Sequence, residues 1–334
     1  MSAAPVELSA SMAGPAGAPV VVLGNSLGTT RELWEPQLGA LGRRFRLLRY
    51  EHRGHGGSPA PPGPYAIADL GADVLALLDE FEVGTAHYCG VSLGGMVGMW
   101  LAANAPERIG ALALCCTSAC LRPAQLWLDR AAAVRSGGMA SISQQVVARW
   151  FTPSYEAANP GTVARFAAAL EQDVAPEGYA GCCDAIAAMD LRPLLGAVRA
   201  PAVVLAGAED PATPPWHGAV IAAAIPGARL RVIRGAAHLA NVSSAAEVTA
   251  TLLAHLAGCA GSSPTWPGER GRGSGLDRDA GRVRAGRPPG RSRGPAARPH
   301  RPAPCAVRPW WRRWRYAAGR RAGCAWPHSE SGSR

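Results

Sequence analysis

The 334-residue chain reads as an α/β protein: a mostly parallel, doubly wound sheet with a helical cap, followed by a C-terminal tail expected to be disordered. Three observations predict this. Short apolar runs recur before residue 260 and are nearly continuous rather than alternating, as strands buried on both faces require. Apolar residues at helical spacing fill several stretches between the runs, and strand–helix alternation of this kind points to a doubly wound sheet. Gly90-Val91-Ser92-Leu93-Gly94 joins one such run to one such helix.

The runs, each ending in turn residues, are 20–23, 46–50, 86–89, 111–116, 202–206 and 230–233. Residues 5–10 offer a weaker edge strand. Leu70, Val74, Leu77, Leu78 and Phe81 repeat at helical spacing, as do Val248, Leu252, Leu253 and Leu256. The alternation breaks between 121 and 191. There, helical segments 124–135, 142–150, 162–171 and 178–189 follow one another without a strand. This block is expected to cap the carboxyl edge of the sheet, where α/β folds bind ligands. Residues 1–120 and 192–258 would then be the core, 121–191 the cap and 259–334 the tail.

Charge divides the chain in the same place. Residues 1–260 hold 17 arginines against 20 acids, a net of −3, and residues 261–334 hold 17 arginines against 4 acids, a net of +13. The mildly acidic body gives nucleic-acid binding no footing. The Gly-, Pro- and Arg-rich tail lacks periodicity and is expected to be disordered. Its cluster Trp310-Trp311-Arg312-Arg313-Trp314-Arg315-Tyr316 interleaves rings and cations, as a single-strand or anionic-membrane binder does. The lysine-free composition fits better with a segment under no folding constraint, such as a GC-rich gene read out of frame. The N-terminal residues carry no basic n-region, and the run 20–23 is too short for a signal peptide or a membrane span. Nine cysteines show no C-x-x-C spacing and read as reduced, buried residues of a cytoplasmic protein rather than as a metal site.

A serine flanked by glycines at a strand-to-helix turn has the form of a nucleophile elbow: the glycines permit the sharp turn, and the turn presents the hydroxyl at the strand's end. Such a serine needs a base to take its proton and an acid to orient the base. Asp210 follows the run 202–206, 118 residues after Ser92, and His238 follows the run 230–233, 28 residues further on. Glu209 adjoins Asp210; the aspartate is favoured because the turn 211–215 begins there. Among the other histidines, His87 lies in a strand, His255 on the last helix, and His300 and His328 in the tail. His52, His55 and His217 could border a pocket, but none follows the last strand. Two backbone N–H groups should face the developing oxyanion: that of Leu93, next after the serine, and that of Leu27 in the loop 24–30.

Asn25-Ser26-Leu27-Gly28-Thr29-Thr30 followed by Leu33-Trp34-Glu35-Pro36-Gln37 resembles the opening of the 3-oxoadipate enol-lactonases of the α/β-hydrolase superfamily. Glu51-His52-Arg53-Gly54-His55-Gly56 is similar too, with Glu51 where that family more often has aspartate. So are residues 90–95, 207–215 and 236–241, and in the cap Trp127, Arg130, Val134 and Arg149-Trp150-Phe151-Thr152-Pro153. The resemblance covers residues 1 to about 258. It implies an α/β-hydrolase fold and hydrolysis of 3-oxoadipate enol-lactone by Ser92, Asp210 and His238, without metal or cofactor. It also implies substrate contacts from Asn25, Ser26, Trp127 and Arg130, with Arg149 a second cap cation for the substrate carboxylate. The expected partner is a small anionic lactone, with neither nucleic acid nor membrane. The triad residues by themselves leave open another serine esterase, a perhydrolase-like enzyme or a different lactonase of the same fold, and also a non-catalytic small-molecule receptor.

Overall fold

Among residues 4–259, which the computed structural model describes, seven strands form one sheet. They are β1 (Ala10–Ala13), β2 (Val20–Gly24), β3 (Arg46–Tyr50), β4 (Ala86–Val91), β5 (Ile109–Cys115), β6 (Ala202–Gly207) and β7 (Arg229–Ile233). The spatial order is β1-β3-β2-β4-β5-β6-β7, and every neighbouring pair is parallel except β1 with β3. The expected doubly wound sheet is therefore present.

The chain winds outward from β2 to β3, then crosses back so that β4 pairs with the other side of β2, with Gly24 opposite Gly90. This reversal of strand order is the switch point at which α/β sheets open a crevice. The carboxyl ends of β2 and β4 meet there.

β2, β4 and β6 are buried at every position, which is why their sequences run apolar without alternation. The edge strand departs from expectation, covering Ala10–Ala13 rather than 5–10. The backbone before it is claimed by side chains: Val6 N donates to Asp73 Oδ1 at 2.9 Å and Ser9 N to Ser58 Oγ at 2.9 Å. Pairing with β3 begins only at Ala10 opposite Tyr50.

The helices are α1 (Glu35–Leu41), α2 (Ile67–Glu80), α3 (Leu93–Asn104), α4 (Gln125–Gly137), α5 (Ser143–Val147), α6 (Pro153–Ala158), α7 (Pro160–Gln172), α8 (Pro176–Ala188), α9 (Pro215–Ala224), α10 (Ala240–Ser243) and α11 (Ala245–Cys259). α3 carries almost no polar face and is buried nearly all round, packed between the sheet and α2. Its Gly94 lies so close to β2 that an added Cβ would sit 2.4 Å from the Gly24 carbonyl; only glycine permits that approach.

Five helices, α4 to α8, fill the interval between β5 and β6. α4 packs along α8, and α5 against α7. The segment expected as one helix over 142–150 is helical only at Ser143–Val147. α6 starts afresh at Pro153, capped by Thr152 Oγ1 accepting the Tyr155 N–H at 3.2 Å. A proline at the first helical position costs no hydrogen bond. The cap is tied to the core by Gly56 N to Asp173 O at 2.7 Å, Ala175 N to Gly54 O at 2.8 Å and Leu239 N to Trp150 O at 2.9 Å.

Among the described residues no helix is long and apolar enough to cross a membrane, and no group of His, Cys, Asp or Glu is arranged to hold a metal ion. The tail reading concerns residues outside the described ones, except Cys259, which ends α11.

Candidate active site

Ser92 follows the last residue of β4 with φ 54° and ψ −113°, a conformation that non-glycine residues adopt only where the surroundings enforce it. Its N–H donates to Cys115 O at 2.9 Å on β5. Its carbonyl accepts from Thr117 Oγ1 at 2.7 Å and from Met96 N at 3.0 Å. Gly90 and Gly94 supply the room: a Cβ on Gly90 would lie 2.3 Å from the Gly94 carbonyl. The elbow is thus a strained turn locked by neighbouring strands.

Asp210 and His238 emerge after β6 and β7. The His238 Nδ1–H donates to Asp210 Oδ2 at 2.8 Å. A carboxylate can only accept, so Nε2 is the nitrogen with a free lone pair. Three further donors hold Asp210: Ala212 N at 2.8 Å and Thr213 N at 3.0 Å on Oδ1, and Thr213 Oγ1 at 2.7 Å on Oδ2. Burial pushes its carboxyl pKa up, but the His238 charge and hydrogen bond, with the Thr213 donors, outweigh it and hold the group below its ordinary value. Glu209 is exposed while Asp210 is buried, so geometry distinguishes the two acids. Ser92 and His238 are themselves largely covered, at 8% and 5% exposure. A groove of about 620 Å³ lined by Leu128, Arg135, Glu177 and Asp184 opens on the flank of the cap, and none of Ser92, Asp210 and His238 lines it.

The loop after β2 passes beside the elbow. Asn25 O accepts the Gly94 N–H of α3 at 2.9 Å. Among the described residues, no protein acceptor meets the N–H of Leu27 or of Leu93. Unpaired amides, one next to the strained serine and one in the adjoining loop, are the kind of donor an oxyanion would use. Gly28 has φ +80°, and a Cβ there would meet Leu170 Cδ1 at 2.7 Å, so the loop is pressed against the cap.

Asn25 turns inward. Its Nδ2 donates to Tyr50 O at 2.7 Å and Glu51 Oε2 at 3.3 Å, and with the side chain fully buried it braces the loop. Ser26 is buried in the same turn, its carbonyl accepting from Thr29 N and Oγ1. Both Glu51 oxygens accept the Arg31 N–H at 3.0 Å. Burial pushes the Glu51 carboxyl up to about 7 against the pull of that N–H and of the Arg31 charge.

In the cap, the Arg130 guanidinium stacks on the Trp127 ring at 4.6 Å. Burial, then repulsion by Arg130, lowers the Arg149 pKa. The Tyr179 hydroxyl is buried beside Arg130 without a hydrogen-bond partner at bonding geometry.

Sequence reasoning missed Thr117 and Thr213, which hold the serine and the aspartate. Thr213 had a signal, lying three residues after an acid in a Pro-rich turn. The histidines His52 and His55 brace the Leu27 loop instead of lining a pocket, and His217 hydrogen-bonds Ser118 Oγ at 2.7 Å.

A switch-point serine elbow with an Asp–His pair after the last strands defines a hydrolase built on this sheet. A family model of the alpha/beta hydrolase fold matches residues 19–245, and the chain belongs to that family. Within it, the chain is 39% identical over 242 residues to 3-oxoadipate enol-lactonase 2 of Acinetobacter baylyi, a match covering 72% of this chain and 90% of that one. The solved enol-lactonase from Burkholderia xenovorans superposes with TM-score 0.74 at 40% identity, covering 75% of this chain and 97% of that one. A solved hydrolase from Pseudomonas aeruginosa superposes with TM-score 0.72 at 45% identity, covering 75% and 94%. Fold and relatives make the chain a carboxylic-ester hydrolase.

Proposed function

We propose that the chain hydrolyses 3-oxoadipate enol-lactone to 3-oxoadipate through an acyl-enzyme on Ser92, a step in the catabolism of aromatic compounds through protocatechuate and catechol. The observation that carries this is the Asp210–His238 hydrogen bond at 2.8 Å, in a chain that also carries the strained elbow at Ser92 and whose curated relatives include enol-lactonases.

His238 Nε2 takes the Ser92 hydroxyl proton as Oγ adds to the lactone carbonyl. The Leu27 and Leu93 N–H groups receive the carbonyl oxygen as it becomes anionic. Collapse breaks the ring C–O bond, and the enol oxygen leaves with the proton from His238. The enol, still tethered through its acyl carbon, tautomerises to the ketone and no longer re-closes the ring. Water, deprotonated by His238, then attacks the acyl carbon and returns Ser92 to its hydroxyl form. No step calls for a metal or cofactor.

The substrate also carries a free carboxylate. Arg130, Arg149 and the unpartnered Tyr179 hydroxyl supply the cations and donor it needs, since guanidinium groups bind carboxylates through paired N–H donors. Trp127, under Arg130, would wall the apolar side. Cys89, Cys115, Cys116, Cys120, Cys182 and Cys183 are free thiols, in keeping with a cytoplasmic enzyme.

The test is hydrolysis of freshly generated enol-lactone by wild type and Ser92→Ala, beside an uncharged aryl ester. Lactone turnover that vanishes in the variant is expected. Ester turnover with indifference to the lactone would keep the serine chemistry and discard the substrate.

A further inference from the structure

Glu51-His52-Arg53-Gly54-His55 leaves β3 and turns under the Leu27 loop. His55 is fully buried there. Its Nδ1 lies 2.9 Å from Arg53 O, and a carbonyl has no proton to give, so Nδ1 carries the hydrogen. Its Nε2 lies 3.0 Å from Gly28 N, which can only donate, so Nε2 is bare. The ring is therefore neutral and confined to one tautomer, and burial pushes its pKa down to about 4. His52 plays the opposite part: its Nε2–H donates to Asn25 O at 3.0 Å. One imidazole pulls on a carbonyl at the start of the loop and the other holds an amide three residues on.

The segment carrying these rings is itself fixed. The Arg53 guanidinium is held by Asp73 through Nε to Oδ2 at 2.6 Å and Nη2 to Oδ1 at 2.7 Å, with both side chains buried. His55 pairs through its backbone with Val174, at the junction of α7 and α8. The bonds of Gly54 and Gly56 to Ala175 and Asp173 flank that pairing.

We propose that His55 is a positioning residue for the oxyanion loop. By accepting the Gly28 N–H it sets the peptide plane next to Leu27, and so the direction of the Leu27 amide. By its backbone pairing with Val174 it ties that amide to the cap. An oxyanion donor accelerates the reaction only when it already points at the place where charge develops, which is why a distant anchor matters. The inference rests on the reading of the Leu27 N–H as one of the two oxyanion donors.

The test uses the full chain and an uncharged aryl ester, so that the identity of the natural lactone is not at stake. His55→Leu, which removes the acceptor, is expected to lower kcat by about ten- to a hundredfold with KM within about twofold, a partial version of losing one oxyanion donor. His55→Gln, whose amide oxygen can take the Gly28 N–H, is expected to recover to within about fivefold of wild type. Phenylboronic acid, which adds to the serine as a tetrahedral anion, should lose affinity in step with kcat. A long-range proton–nitrogen NMR spectrum of the wild type should show Nε2 of His55 unprotonated at neutral pH. That spectrum decides the matter if His55→Leu does not fold, and a protonated Nε2 overturns the proposal. Wild-type kcat in a folded His55→Leu overturns it too, as does an equal loss in His55→Gln. Ester turnover surviving Ser92→Ala would instead remove the serine mechanism itself, an outcome distinct from a silent His55→Leu in an enzyme that Ser92→Ala kills.

Discussion

The Thr213 hydroxyl donates to Asp210 Oδ2 at 2.7 Å, the same oxygen that takes the His238 Nδ1–H at 2.8 Å. The carboxylate is therefore fixed independently of the imidazole it orients. Thr213→Val keeps the shape and removes one donor, so kcat on an aryl ester should fall roughly three- to tenfold, the cost of about one ordinary hydrogen bond. Stability should change with a defined sign. A carboxyl held below its ordinary value of 3.8 contributes stability that is present above about pH 4 and is lost as pH falls through the folded pKa. The wild type should therefore exceed Thr213→Val in urea unfolding at pH 7, and the gap should close toward pH 2. A gap that persisted in acid would place the threonine's contribution in packing.

The sheet is legible in the sequence because strands buried on both faces leave apolar runs, and the ends of those runs mark where Ser92, Asp210 and His238 stand. What surrounds them is not legible. The acceptor that holds the Gly28 amide comes from His55, 27 residues away, and nothing in the local pattern distinguishes that ring from a pocket-lining one. Asn25 belongs to a motif shared with a family, but only the fold reveals that its side-chain NH2 is committed to Tyr50 and Glu51. β1 starts late because Asp73 and Ser58, distant in sequence, occupy the backbone before it. α6 rests on a proline and a capping threonine, signals too short for a periodicity search to find.

The Ser92 backbone, at φ 54°, stores strain on the order of 1–3 kcal/mol. Ser92→Gly removes the Cβ that resists this conformation while leaving the bond to Cys115 O. It should abolish ester turnover and raise the melting temperature by about 2–4 °C, the shift that roughly 1 kcal/mol produces in a domain of this size. Ser92→Ala keeps the Cβ and should show no such gain. Equal melting temperatures for the two variants would mean that glycine's greater freedom in the unfolded chain cancels the relief.

Glu51 gives a pH signature of the opposite kind. Its carboxyl is raised by burial from 4.5 to about 7, so between those values the folded protein keeps a proton that the unfolded chain has lost. Stability should then fall as pH rises through this window. Glu51→Gln cannot ionise there. Relative to wild type it should gain on the order of 1–3 kcal/mol between pH 4.5 and pH 8, read by urea unfolding at several pH values. Parallel curves for the two proteins would show that the Arg31 N–H compensates burial more fully than the raised pKa implies.

Arg149, partly buried, is destabilised as a cation first by burial and then by the neighbouring Arg130. Two like charges held together in a cap are costly unless an anion joins them. If that anion is the lactone carboxylate, Arg130→Ala should raise KM for the enol-lactone about ten- to a hundredfold, as expected for one charge-assisted pair in a covered site. KM for an uncharged aryl ester should change less than about threefold. Arg130→Lys should recover little, since an ammonium reproduces neither the paired N–H donors nor the stacking on Trp127. Added salt should raise the wild-type KM for the lactone and leave the ester unaffected. Parallel losses on both substrates in Arg130→Ala would instead assign the arginine to cap packing through Trp127, and the carboxylate would have to find its partner at Arg149.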